Sequence, residues 1–223
     1  MFLPQEKVTT ELEPVTKILE NLDTTVQETP SEPLQSRENM TKALSLWKAS
    51  GITERHRDFK PEDSTSDVWT EQWNKLKNFI GNGVLAIILG QRGAGKSQMA
   101  VCAIRESCKH LKSAKYIKAL NFFLAIRASY KDKTVTEDQV VQEFSAPFLL
   151  VIDAVENRGE TSFENILLNH LIDMRYDRCK DTILISNQNE KDFAASMGPS
   201  IVDRIHECGI KIICNQKSFR RKI

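Results

Sequence analysis

The sequence predicts an α/β fold built on a mostly parallel sheet, and three observations carry that reading. An apolar run, Val84 to Leu89, leads into the glycine-rich stretch "GQRGAGKS" and then into a helix-forming segment from Lys96 to about His110. A second apolar run, Phe148 to Ile152, is uninterrupted and ends on Asp153. Beyond it the chain alternates helical and extended patterns. A parallel strand buried on both faces needs such continuous apolar runs, and ligands of open α/β sheets bind beyond the carboxyl ends of the strands.

The first run and its loop carry the most specific chemistry. Gly90, Gly93 and Gly95 with Lys96 and Ser97 complete a G-x-x-x-x-G-K-S pattern, with Gln91, Arg92 and Ala94 filling the loop. Glycines let successive N–H groups turn inward around phosphate oxygens, and the following helix N-terminus adds partial positive charge. Lys96 then reaches the outer phosphates and Ser97 ligates magnesium. ATP and Mg2+ are therefore the expected cofactors.

Asp153, at the end of the second run, is placed to hold that magnesium directly or through water. Hydrolysis also needs a group to orient water, and Ala154 has no polar atom to offer. Glu156 is the nearest carboxylate, followed by Asn157 and Glu160. Either Glu156 positions water or it is a solvated loop residue, so the sequence supports nucleotide binding better than turnover.

Composition bounds the surroundings. With 223 residues and 40% hydrophobic content, the chain supports one substantial core and a smaller appendage. Its five cysteines and four histidines show neither metal-ligand spacing nor a disulfide framework. The start has no secretion-signal pattern, and no apolar stretch reaches transmembrane length. A cytoplasmic protein with no membrane partner is expected. Residues 1–40 carry eight acidic and three basic side chains, whereas the final twenty hold six basic residues against Glu207. That bias permits contact with nucleic acid without establishing it.

Three regions follow. Residues 1–50 form an acidic, flexible or helical region with short helices around Val15 to Leu22 and Met40 to Ala49, separated by a Thr/Pro/Ser-rich connector. Residues 51–80 form a linker and an amphipathic helix, in which Trp69, Trp73, Leu76 and Ile80 recur at helical spacing and read as core anchors. Residues 81–223 form the nucleotide-binding domain. In it "YIKAL" reads as a strand, "NFFLAIRASYKDK" and Phe163 to Arg175 as helices, "DTILISN" as a strand, Lys191 to Met197 as a short helix and "IKIICN" as the last strand. Arg127, Tyr130, Lys131 and Lys133 make a basic, aromatic helix end that suits either single-stranded DNA or plain solvation. Asn187 ends a strand beside the expected phosphates, either contacting phosphate or water or capping a turn.

The ordered set "GITERHRDF", "GQRGAGKS", "YIKALNFFLAIRASYKD", "PFLLVIDAVENRG", "NILLNHLIDMRYDRC", "TILISN", "MGPSIVDRI" and "NQKSFRRKI" resembles the AAA+ ATPases of bacterial replicative-helicase loaders, the DnaC type. It also resembles the related helper ATPases of insertion-sequence transposition. The resemblance spans roughly Gly51 to Ile223. It implies an AAA+ P-loop NTPase core with a small N-terminal region and no substantial C-terminal lid, and an ATP-dependent homo-oligomer. It further implies a replicative DNA helicase bound through the N-terminal region and single-stranded DNA bound by the ATPase domain. By the same resemblance Lys96 and Ser97 match the phosphate and magnesium positions, Asp153 the metal-associated acid and Asn187 a polar sensor. Arg204 matches an arginine supplied to a neighbour's nucleotide, and Arg220 or Arg221 a contact to nucleotide or DNA. Family members usually carry an acid where this chain has Ala154, which leaves slow turnover, or ATP binding as an assembly signal. A transposition helper and a nonhydrolytic helicase adaptor or inhibitor remain alternatives.

Overall fold

The computed structural model describes residues 34–131, 134–159, 161–216 and 218–219. The short helix expected at Val15 to Leu22 lies outside them. At the centre are five strands, β1 (Leu85–Gly90), β2 (Ala114–Lys118), β3 (Leu149–Asp153), β4 (Asp181–Ser186) and β5 (Gly209–Cys214). They form one sheet in the order β2-β3-β4-β1-β5, and every pairing is parallel.

Alternation along each strand divides the core. Ala86, Ile88, Leu149, Val151, Ile183, Ile185, Ile210 and Ile212 face one cluster, and Leu85, Ile87, Leu89, Leu150, Ile152 and Leu184 face the other. This two-sided burial is why the strands read as continuous apolar runs. The first face is covered by α1 (Leu34–Ala49), α3 (Asp67–Lys77) and α4 (Lys96–Lys109), with the one-turn helix α2 (Glu54–Arg57) nearby. The second is covered by α5 (Ala119–Ser129), α6 (Glu137–Ser145), α7 (Ser162–Asp177), α8 (Glu190–Met197) and α9 (Pro199–Cys208).

Local chemistry sets several helix starts. Ser66 accepts from the Trp69 N–H at 3.3 Å to begin α3, and Trp69, Trp73 and Leu76 are then buried on one stripe, as core anchors should be. Thr136 and Gln139 cap α6 reciprocally, with 3.2 Å and 2.8 Å contacts. α9 opens on Pro199, whose missing N–H costs nothing in the first turn.

Several elements depart from the sequence reading. α1 begins six residues before Met40 and packs Ala43 and Trp47 into the core. The stretch read as turn and loop before α3 contains α2 and a 3₁₀ turn, Pro61–Asp63. Buried Arg105 of α4 holds this stretch, donating to the Phe59 carbonyl at 2.6 Å and the Arg57 carbonyl at 2.8 Å, with its guanidinium 4.8 Å from the Trp47 ring centre. Strand β2 stops at Lys118, so Ala119 and Leu120 of "YIKAL" already belong to α5. Helices α6 and α9 had no counterpart in the sequence reading. β5 is the last regular element among the described residues.

The thiols of Cys102 and Cys108 are pushed up to about 12, and that of Cys214 to about 11, by burial. Among the described residues no three or more Cys, His, Asp or Glu side chains gather as a metal site, and no helix is long and apolar enough to cross a membrane.

Candidate functional site

The carboxyl edge of β1, β3 and β4 converges on a cleft of about 1000 Å³, lined by Gly93, Gly95, Lys96, Ser97, Tyr116, Asp153 and Asn187 among others. Gly90 ends β1 with φ +145°, and a Cβ there would stand 2.3 Å from the Cys214 carbonyl oxygen. Only glycine lets β1 enter the loop this close to β5.

Lys96 is buried, with its charge satisfied inside the site. Its Nζ donates to the Gly90 carbonyl at 2.6 Å, the Gln91 carbonyl at 2.9 Å and Asn187 Oδ1 at 2.8 Å. Ser97 Oγ donates to Asp153 Oδ2 at 2.8 Å, so the hydroxyl and carboxylate that suit a magnesium ion already touch. The donor set fits an Mg2+-nucleotide: an inward-turning loop, a cation at its head, and hard oxygen ligands beside it. Ala94 supplies a buried methyl group to the loop, while Gln91 and Arg92 are exposed at its tip.

The sequence reading missed a partner of Asp153. Tyr116 of β2 donates its hydroxyl to the same Asp153 Oδ2. β2 and β3 pair Tyr116 with Val151 and Lys118 with Asp153, which puts Tyr116, Val151 and Asp153 on one face of the sheet. Burial first, then the Asp153 charge and hydrogen bond, push the Tyr116 phenol well above its ordinary value. It is thus a neutral donor.

Glu156 does not itself line the cleft but touches Asn187, which does. Ala154 adopts a left-handed conformation, φ 56° and ψ 53°, and the chain turns at once into the 3₁₀ turn Val155–Asn157. This brings Glu156 Oε1 against Asn187, which donates to it through Nδ2 and through its main-chain N–H at 3.3 Å. Glu156 Oε2 is buried and has no hydrogen-bond partner among the described residues. Lys96, Asn187 and Glu156 therefore form a continuous chain of contacts. The following turn is pinned by buried Arg158, which donates to the Val155 carbonyl at 2.7 Å, to Asn165 at 3.0 Å and to the Ser196 carbonyl.

The remaining sequence candidates lie elsewhere. Arg204, on α9, is paired with Asp173 of α7 at 3.0 Å, lies 5.3 Å from the Tyr176 ring centre and donates to Ser200. Arg127 forms an ion pair at 2.6 Å with buried Glu164. Tyr130 is 59% exposed, donates to Glu137 and leans on Phe163 at 6.4 Å; Lys131 is also exposed. None of these lines the cleft. Lys133, Arg220 and Arg221 lie outside the described residues. The cleft is also lined by Thr53, Arg55, His56 and Lys118, and by Phe219, none of them assigned a role from the sequence.

A parallel sheet in this order, with a phosphate loop after the strand second from the edge and an acid and a polar residue on the next two strands inward, has the architecture of the AAA+ P-loop NTPases. The residues matched extend across most of the chain. It belongs to the family of IstB-like ATP binding proteins, whose model matches residues 33–223. The chain is 22% identical over 200 residues to the replicative helicase loader DnaC of Escherichia coli (strain K12), covering 86% of this chain and 82% of that protein. A solved DnaC helicase loader superimposes with a TM-score of 0.54 at 15% identity, over 87% of this chain and 96% of the other. A replication initiator DnaA, solved with AMPPCP and single-stranded DNA, gives 0.61 at 20% identity over 74% of this chain, though only 51% of its own is matched.

Proposed function

We propose that the protein is an ATP-regulated loader that binds a replicative DNA helicase and single-stranded DNA and promotes helicase loading. The observation carrying this reading is the Lys96–Asn187–Glu156 chain beside the Ser97–Asp153 pair, a nucleotide site that can report phosphate occupancy, within a chain similar along most of its length to a replicative helicase loader. When bound, Mg2+ would supply charge neutralisation for phosphate. Ser97 and Asp153 would hold it, Tyr116 orients the Asp153 carboxylate, and Lys96 would exchange its carbonyl partners for phosphate oxygens. Glu156, positioned by Asn187, orients the attacking water, with turnover slow because Ala154 follows Asp153 where an acid would otherwise stand.

Residues 1–50 are proposed to hold the helicase contact. Because Trp47 is part of the core, a truncation at Gly51 would damage the fold as well as the docking region, whereas one starting at Leu34 keeps α1. In a pull-down with the purified bacterial helicase, the chain starting at Leu34 should lose capture while keeping nucleotide binding. Equal capture by the full and shortened chains would place the contact at or after Leu34, in α1 or the nucleotide-binding domain.

Assembly is the second arm. Arg204 is proposed to serve a neighbouring subunit's nucleotide after exchanging Asp173 for phosphoryl oxygen. Light scattering should show ATP with magnesium raising the mass of the unaltered chain to at least that of a dimer, and Arg204→Ala holding it at the monomer value. No nucleotide-dependent rise in the unaltered chain would reject assembly. Arg127, Tyr130, Lys131 and Lys133, with Arg220 or Arg221, are proposed DNA contacts.

The family description favours one alternative, a transposition helper using the same ATPase core. It would capture a transposase and no helicase in the same pull-down.

A further inference from the structure

Three consecutive carbonyls of the phosphate loop are each occupied by a donor from outside the loop. The Gly93 carbonyl accepts from the Phe219 main-chain N–H at 2.9 Å. The Ala94 carbonyl accepts from the Gln216 side-chain amide. The Gly95 carbonyl accepts from Trp69 Nε1 at 3.1 Å. These donors come from α3 and from the segment after β5, 26 to 126 positions away from their acceptors in the chain.

The arrangement matters because a peptide's carbonyl and the N–H of the same peptide group point in opposite directions. Holding the carbonyls of residues 94 and 95 outward commits the N–H groups of Gly95 and Lys96 to the other side, where an anion is bound, while the Gly93 carbonyl is held outward with the Ala94 N–H closing the loop on the Gln91 carbonyl at 3.3 Å. The contacts are close enough to exclude a side chain at position 95. Gly95 has φ +80°, and a Cβ there would stand 2.7 Å from Trp69 Nε1 and 2.9 Å from the Phe219 ring. The Phe219 ring also lines the cleft beside Lys96 and Ser97 and is 38% exposed, which leaves part of an apolar surface facing the space a nucleoside would fill.

We infer that Trp69, Gln216 and Phe219 form an outer clamp that fixes the phosphate loop in its anion-binding conformation, and that the Phe219 ring is a wall for the nucleoside. The inference rests on the nucleotide-binding reading above. Trp69 is thus both a core anchor and a positioning residue, acting through its indole N–H. Gln216 acts on phosphate only through the loop, whereas Phe219 acts both through the loop, by its main chain, and directly, by its ring.

Two probes separate these roles, ADP and inorganic pyrophosphate, each titrated calorimetrically with magnesium into the full chain. Trp69→Phe keeps a ring and removes the donor; Gln216→Leu removes a donor near the surface, where folding is less at risk. Each should weaken both probes by about fivefold, the effect of one neutral hydrogen bond. Phe219→Leu keeps the main-chain donor and removes the flat face, so ADP should weaken by about fivefold and pyrophosphate should be unchanged. Thermal melting of the nucleotide-free variants guards against loss of fold. Affinities within twofold of the unaltered chain for Trp69→Phe and Gln216→Leu would overturn the clamp. Equal loss of both probes in Phe219→Leu would overturn the nucleoside wall. If the unaltered chain binds neither probe, the nucleotide-binding reading fails and the clamp falls with it.

Discussion

Arg175→Met is expected to lose about 3–5 kcal/mol of stability while leaving nucleotide affinity per folded molecule unchanged. Arg175 is fully buried. Its Nε donates to Thr182 Oγ1 at 2.9 Å; its two terminal nitrogens donate to the carbonyls of Phe144, Ser145, Pro147, Phe148 and Asp181. Burial pushes its pKa down to about 9 and the nearby Asp181 charge pulls it back up, so it is charged at neutral pH. Methionine fills similar volume but leaves several buried carbonyls without donors, and each such loss carries a desolvation penalty. The carbonyls belong to the end of α6, the approach to β3 and the start of β4, at the edge of the sheet opposite the cleft. The urea midpoint should fall with the denaturant slope unchanged, which is the signature of lost stability with the same surface exposed on unfolding. Arg175→Lys should fall between the two, because one ammonium group cannot serve six acceptors. A midpoint shift equivalent to under 1 kcal/mol in Arg175→Met would show that water or relaxation satisfies the carbonyls.

Arg175 also marks where the sequence stopped being legible. An arginine in the last turn of a helix, as in "HLIDMRYDRC", carries no local sign of burial, because its acceptors come from three separate stretches of chain. Legible features were those with a local code. β1 and β3 announced themselves by continuous apolar runs, β4 by its place in the α/β alternation, the phosphate loop by glycine spacing, and Trp69 and Trp73 by helical recurrence. Helix α6 had a code that went unused: Thr136-x-x-Gln139 is a capping-box pattern, followed by Val140, Val141 and Phe144 on one buried face. Helix α9 likewise offered Gly198-Pro199 as a start. Tyr116 had no local signal, since its contact with Asp153 depends on the register between β2 and β3. Nor did the donors to the loop carbonyls, which depend on where the chain returns after β5. Glu156 was picked for proximity in sequence, whereas its place in the site depends on the left-handed Ala154 that aims it toward β4.

Glu156→Gln is expected to lower single-turnover ATP hydrolysis by about 100-fold with nucleotide affinity within a few-fold of the unaltered chain. The proposed base has one oxygen, Oε1, engaged by Asn187 and the other, Oε2, buried without a partner among the described residues, so Oε2 has to turn into the cleft, which Glu156 does not line, to accept a proton from water. A glutamine preserves the shape and the Oε1 contact but cannot take up that proton. Asn187→Ala tests the same chain from its centre. It removes the partner of both Lys96 and Glu156, and turnover should fall at least about tenfold through lost positioning, with the larger share in the chemical step rather than in binding. Ala154→Glu adds a carboxylate at a residue whose φ of 56° already disfavours any side chain, and it would place a second negative charge beside Asp153. It should therefore weaken ATP binding in the absence of magnesium before it accelerates anything. Hydrolysis must be measured with the site saturated and the chain assembled, because a missing neighbour would mimic a missing base. Lys96→Ala supplies the baseline by removing the cation at the head of the loop. Turnover abolished in Lys96→Ala but unchanged in Glu156→Gln would rule out Glu156 as the base and leave the Lys96–Asn187 contact as a phosphate sensor, with the water oriented by another residue.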